Sequence, residues 1–424
     1  MNIKVFVFIL FIFLSTAIKS QDLDSLTLID CYKLAKHNSP QTELFSIHQS
    51  VSDLNIDNYS THNLPEMDVY GKAWYQSDAV SVPAQAPGAE GFAIDRFQYN
   101  FGFEVQQKLF DGGITDKKIS LEKNSLSTQN AQTETSIYQI YSQINQLYFT
   151  ILFMRENENI LHNKSQTLDE RIKIMESGVK NGVVLKSELE KLMAEKITLD
   201  QQILDIKYSI RTMNKNLSVL TGQEDYDNLR LSKNPDFLEP ETAKRPEYVA
   251  LVNREEQLSA MQELKTVSLI PKLYAYGQLG YSYPGLNFFE NQSDPYYIVG
   301  LKLGWKIFDW NATRKEKEIL EVQKGELSVQ KKELDRNFLI AENAKIDEIE
   351  KINELIEKDH EIILARESIT KSSSSALENG TITSADYLQD LDAETSARIN
   401  LNKHVIQLMQ NKAELMIIKG IEID

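Results

Sequence analysis

Cys31 is the single cysteine of this sequence, and its histidines stand at 37, 48, 62, 162, 360 and 404. One thiol builds no disulfide framework, no CxxC redox centre and no cysteine-rich zinc site. No two histidines fall in HxH or HExxH spacing, so a histidine metal centre has no local support. A nucleophile elbow and a phosphate-binding glycine loop are also missing. Asp and Glu together number 62. That abundance leaves a carboxylate pair open, but the acids are spread along what read as long helices. The expectation is a protein that is not an enzyme, with no catalytic residues, cofactor or metal. Lys and Arg number 46, giving a net charge of −16. A nucleic-acid partner is not expected, because it would demand a basic stripe to replace phosphate counterions. A mean hydropathy of −0.37 excludes a polytopic helical membrane protein.

The first twenty residues read as an export signal. Lys4 supplies the charged end, Val5 to Leu14 is an apolar run too short to span a bilayer, and cleavage fits after Ala17 or Ser20. An uncleaved anchor helix is the alternative. Cys31 follows Ile29-Asp30 rather than small residues, which is wrong for a lipid-attachment cysteine.

Helix breakers divide the remainder. All ten prolines lie at or before Pro295, and between Gly113 and Gly222 the only glycines are Gly178 and Gly182. Between Gly304 and Gly420 they are Gly325 and Gly380. Long helices need such stretches. The apolar series Ile137, Ile140, Ile144, Leu147, Ile151, Met154 alternates steps of three and four, as does Leu199, Ile203, Ile206, Ile210, Met213, Leu217, Leu220. This is coiled-coil periodicity. By contrast, residues 97–105 and 297–307 alternate large apolar side chains with polar or small ones, the mark of a strand with one oily and one wet face. Partner runs at 66–77 and 272–283, across turn-rich segments 78–96 and 284–295, complete two hairpins.

The chain is an internal duplication. An offset of 198 places Gly102 on Gly300, Phe110-Asp111 on Phe308-Asp309, Gly182 on Gly380 and Gly222 on Gly420. An offset of 206 places Pro40 on Pro246, Pro65 on Pro271 and Tyr70-Gly71 on Tyr276-Gly277. The difference is absorbed by a longer first hairpin loop. Residues 21–239 and 240–424 thus predict two repeats, each with a helix, two strands, a long helix, a turn and a shorter helix. His162 falls on His360, and both read as surface or seam residues. The helix at 114–177 would span roughly 96 Å. The segments 183–221 and 41–64 together match its length, so two shorter helices would stack end to end beside the long one, and 381–419 with 247–270 would repeat this. Four strands with an oily face cannot close a barrel alone and would leave raw edges in lipid, so several copies must share one.

These residues resemble the TolC family of outer-membrane efflux proteins over nearly the whole mature chain. The resemblance rests on Leu28-Ile29-Asp30-Cys31-Tyr32-Lys33-Leu34-Ala35 with Asn38-Ser39-Pro40, on Arg245-Pro246-Glu247, on Lys108-Leu109-Phe110-Asp111-Gly112-Gly113 and Lys306-Ile307-Phe308-Asp309, and on the turns Gly182 to Leu192 and Gly380 to Leu391. It implies a mainly α fold with membrane β-strands: a homotrimer whose duplicated helical hairpins form a periplasmic α-barrel and whose four strands per chain make a twelve-stranded barrel among outer-membrane lipid. It also implies a passive exit duct for small toxic compounds, joined through a periplasmic adaptor to an inner-membrane pump of RND or ABC type. An outer-membrane channel for type I protein secretion is the alternative, and a soluble periplasmic coiled-coil scaffold is a third reading that leaves the alternating strands unexplained.

The same resemblance assigns residues. Gly182, Val183, Val184 and Leu185, with Gly380, Thr381, Ile382 and Thr383, would be the turns that dock the adaptor. Asp386, six residues after Gly380, would sit in an acidic ring at the entrance, with Gln389 at the neighbouring acid position, Asp390 beside it and Glu188 as the matching acid of the first turn. The family latches this entrance with a tyrosine and an arginine acting on an aspartate. Leu377 and Ile382 stand at those positions here, which points to apolar closure.

Overall fold

The structure is a computed structural model, and it describes residues 25–79, 81–82, 92–227, 229–233, 235, 237 and 245–421. The expected leader at 1–20 and the expected junction at 239–240 lie outside them. The elements run α1 (Leu28–Asn38), α2 (Glu43–Thr61), β1 (Glu66–Tyr75), β2 (Ser81–Val82), β3 (Phe92–Ala93), β4 (Phe97–Phe110), α3 (Ile114–Tyr138), α4 (Ile140–Lys180), α5 (Lys186–Thr221), α6 (Pro246–Val267), β5 (Lys272–Tyr283), β6 (Asp294–Gly304), α7 (Ala312–Glu378) and α8 (Ser384–Lys419).

The predicted first long helix is two segments, α3 and α4, separated only at Gln139. The Gln139 N–H still reaches the Thr135 carbonyl at 3.3 Å, so the helical ladder carries through. The equivalent α7 runs unbroken for 67 residues, about 100 Å at the usual rise. Beside α3–α4 lie α2 and α5, and beside α7 lie α6 and α8. The second halves of the hairpins start later than the glycines suggest, at Lys186 and Ser384, because Val183 to Leu185 and Thr381 to Thr383 are spent on the turns.

The two predicted hairpins join into one antiparallel sheet of order β1-β4-β5-β6. The register carries an oily row across it: Val69 opposite Phe103, Phe103 opposite Leu279, Leu279 opposite Tyr297. All four side chains are exposed in the single chain. One residue along, the wet face has Tyr70, Gly102, Gly280 and Tyr296 in line. Two tyrosines reach over two glycines there. Their hydroxyls are 2.7 Å apart, and a Cβ at Gly280 would sit 2.7 Å from the Tyr296 ring. The sequence pattern placed Trp305 and Ile307 in the last strand. It ends instead at Gly304, opposite Lys272, since Pro271 before that residue has no N–H to continue the ladder. The short pair β2–β3, which extends the first hairpin, was not foreseen. No helix among the described residues is long and apolar enough to cross a membrane.

One large core sits midway along the rod, where α1 packs on α4 and α5 and the end of α8 joins the same cluster. Leu28, Cys31, Tyr32 and Ala35, among the residues on which the resemblance rests, are buried in it. Thr27 and Asp30 form a capping box that starts α1. The Asn38 amide donates to the Thr221 carbonyl at 2.7 Å, closing the end of α5. Arg245 donates to the Ile418 carbonyl at 2.8 Å, holds Glu247 with two bonds and lies over the Phe338 ring at 3.6 Å. Tyr138 accepts from the Ile421 N–H at 3.0 Å and donates to Ile417. Cys31 is fully buried in this core. Burial, and then the negative charge of Asp30, pushes its thiol up to about 12. The folded protein should therefore resist alkylation by iodoacetamide at pH 8 and take one adduct by intact mass only in denaturant, since the thiolate is the reactive form. Rapid labelling of the native state would contradict this packing.

Candidate functional site

Both helical turns end their long helix in the same way. Val183 N–H donates to Gly178 O at 2.9 Å and Gly182 N–H to Val179 O at 3.0 Å. Thr381 N–H donates to Ala376 O at 2.9 Å and Gly380 N–H to Leu377 O at 3.0 Å. These are Schellman motifs, which need a left-handed residue after the helix. Gly182 has φ 76° and Gly380 φ 69°. A Cβ at either position would meet nothing within 4 Å, so the backbone angle alone demands glycine.

Beyond the glycines the turns diverge. Val183 and Leu185 of the first are open to solvent, while Val184 folds inward against Gly178 and the tip core. In the second, the hydroxyls are consumed locally: Thr381 donates to Ala376 O at 2.9 Å and Thr383 caps α8. Ile382 packs on the same tip core, built from Leu168, Met175, Leu192, Leu377 and Tyr387. Leu377 and Ile382 thus fill apolar space in the tip core. Just behind, the Lys164 ammonium is buried between Glu195 of α5 at 2.7 Å and Asp392 of α8 at 2.6 Å. Arg171 pairs with Glu378 across from α4 to α7.

The three acids singled out by sequence have three different partners. The Asp386 carboxylate accepts from the Thr383 N–H at 3.0 Å and hydroxyl at 2.7 Å, and the Thr383 hydroxyl oxygen accepts from Asp386 N–H in return. It is the acid of a capping box. The Thr383 hydroxyl first, and then its N–H, holds this carboxyl below the ordinary range. Asp390 instead accepts from the Ser373 hydroxyl of α7. Glu188 stands at the position of Asp386 in the other repeat but has Leu185 where Thr383 would be, so no hydroxyl caps α5. Its carboxylate crosses to the second turn and accepts the Ser384 N–H of α8 at 2.7 Å, with Lys191 at 2.8 Å on its other side. Lys191, and then Ser384, holds Glu188 below the ordinary range. So the structure joins the two turns through Glu188, while Asp386 and Asp390 bind within the second repeat. The sequence carried the signal: Thr383-Ser384-Ala385-Asp386 is the capping-box pattern, and the first turn has lost its hydroxyl. Ser384, Lys164, Arg171 and Tyr387 were not anticipated, since each matters only through a partner distant in sequence. His162 and His360 are both exposed. No group of three or more His, Cys, Asp or Glu suited to a metal occurs among the described residues.

The outer membrane efflux protein family model matches residues 32–223, which take in most of the first repeat. No curated protein matches the chain in sequence. Solved structures match nearly all of it. The Campylobacter jejuni CmeC outer membrane channel is 17% identical with a TM-score of 0.64, over 94% of this chain and 86% of that one. CusC, solved in work on transmembrane channel formation, is 11% identical at TM-score 0.68, over 94% and 92%. The open-state Neisseria gonorrhoeae MtrE outer membrane channel is 13% identical at TM-score 0.63, over 93% and 89%. At these identities the likeness is one of fold. Over the aligned 93–94% the chain shares the fold of these channels, and the match over residues 32–223 agrees with the resemblance read from the sequence.

The cross-turn bond predicts a pH response. A carboxyl depressed on folding contributes stability above its ordinary pKa, near 4.5 here, and loses it as pH falls through the lower folded value. The protection of the Ser384 amide, measured against its intrinsic exchange rate at the same pH, should be high at pH 6 and fall as the pH drops below the ordinary carboxyl range. Glu188→Ala should abolish this protection at both pH values and leave the Thr383 capping box intact.

Proposed function

We propose that this outer membrane efflux protein, matched to that family through its first repeat and to outer-membrane channels in fold throughout, is the passive exit duct of a tripartite export system. Three copies close one tube, with the strands in the outer membrane and the helices in the periplasm. A periplasmic adaptor docks at the helical tip, and an inner-membrane pump delivers small toxic compounds. The observation that carries the reading is the pair of unmatched edges. β1 and β6 each have a neighbour on one side only, on a sheet whose exposed face is oily. Lipid offers no hydrogen bonds to such edges, so β6 of one copy must meet β1 of the next. Four strands per copy make a ring of twelve from three copies. This supports the duct over a scaffold in water.

The tip supports docking unevenly. Val183 and Leu185 present the open apolar side chains that an adaptor could seat on, while Thr381 and Thr383 are committed to their own backbone. Asp386 remains exposed at the turn with its charge kept, so three copies bring three fixed negative charges to the entrance. Asp390 faces α7.

The test of the duct is assembly and conduction. The protein should leave the membrane fraction only with detergent, run as a trimer by light scattering and conduct ions in a planar bilayer. A detergent-free, monodisperse monomer would overturn the proposal. In the same bilayers Asp386→Asn should weaken cation preference, since like charges in a confined mouth act together. Asp390→Asn should leave it unchanged. The reverse result would move the ring to Asp390.

A further inference from the structure

The duplication keeps the oily face of the sheet and reverses charges on the wet one. At the offset of 198, Phe103 and Val105 of β4 become Leu301 and Leu303 of β6, and at 206 Met67 of β1 becomes Leu273 of β5. On the opposite parity, Glu104 becomes Lys302 and Glu66 becomes Lys272. Lys108, already basic in the first repeat, becomes Lys306. Two carboxylates of the first repeat thus stand as ammonium groups in the second, in a chain whose net charge is −16.

The register brings the lysines together at the end of the sheet nearest the long helices. Lys108 lies opposite Tyr274, and Tyr274 opposite Lys302, so two lysines flank one tyrosine in a row across three strands. Lys272 lies opposite Gly304, next along the same face. Lys302 and Lys306 stand two residues either side of Gly304. A Cβ at Gly304 would meet nothing within 4 Å, so the space between the lysines is open. None of the four lysines enters an ion pair among the described residues. The acids at the strand ends are held by their own helices. Asp111 accepts from the Gly113 N–H at 2.7 Å and the Thr115 N–H at 2.8 Å, and Asp309 from the Thr313 N–H at 2.9 Å.

Taking the proposed duct as given, with the wet face lining its strand barrel, we infer that Lys272, Lys302 and Lys306 around Gly304, with Lys108 two strands away, form an anion-attracting surface on the exit wall. Its ligand is the carboxylate, sulfonate or phosphate group of an organic anion in the lumen. Ammonium groups on one wall add their fields, and a pore lined with lysines favours anions. The matching wall of the first repeat differs in sign. Gln106 stands where Gly304 does, with Glu66 opposite it and Glu104 two residues before it. Acidic and basic walls therefore alternate around the outlet, and an anionic group is drawn to the second repeat and turned away from the first.

Gln106→Cys and Gly304→Cys, made singly in the full-length protein in detergent, report the two walls, with Cys31 buried and silent. Each thiol is timed at low salt against a cationic and an anionic methanethiosulfonate. One kT of local potential changes the ratio of the two rates by roughly sevenfold. Gly304→Cys should favour the anionic reagent relative to Gln106→Cys by about that factor or more. In 1 M salt, where the Debye length is about 3 Å, the two ratios should converge. Lys272→Glu with Lys302→Glu, which gives the second wall the residues of the first, should turn Gly304→Cys toward the cationic reagent. Equal ratios at the two positions in a protein that is trimeric by light scattering would overturn the inference and leave the duct standing. Loss of both reactions at Gly304→Cys on reconstitution into phosphatidylglycerol vesicles would set the lysines against lipid headgroups and overturn it likewise. A detergent-free monomer would overturn the duct and this inference together.

Discussion

A peptide group in lipid has no water to bond, and this one constraint shapes the molecule from end to end. The sheet has an oily face that makes the membrane its solvent, yet it has two open edges that the membrane cannot satisfy. Within the chain β1 and β6 stand at opposite edges of the sheet, each paired on one side only. The proposed duct closes these edges with other copies. In the proposed duct, leaving four strands unfinished is what calls for further copies.

Much of this was readable in the residues. The glycines at 102, 182, 222, 300, 380 and 420, with the alternation at 97–105 and 297–307, pointed to the helices and strands, because breakers and periodicity act locally. The strand end at Gly304 was misjudged, since it depends on where the neighbouring strand begins rather than on Trp305 or Ile307. At the tip the acids were located but their partners were not. Asp386 bonds three residues back, which a capping pattern announces. Glu188 bonds a backbone N–H 196 positions away, and only the fold brings that group near. The same holds for Lys164, whose partners sit on two other helices.

The β1 and β6 edges are unlike one another, so every joint in the proposed three-copy ring is head to tail. A chain defective at one edge still offers a sound edge on its other side and is built into rings with normal chains. In a cell making both kinds equally, roughly one ring in eight would be free of the altered chain. Edge lesions in this protein are therefore expected to be genetically dominant, whereas lesions that prevent folding, and so withhold the chain from assembly altogether, are recessive.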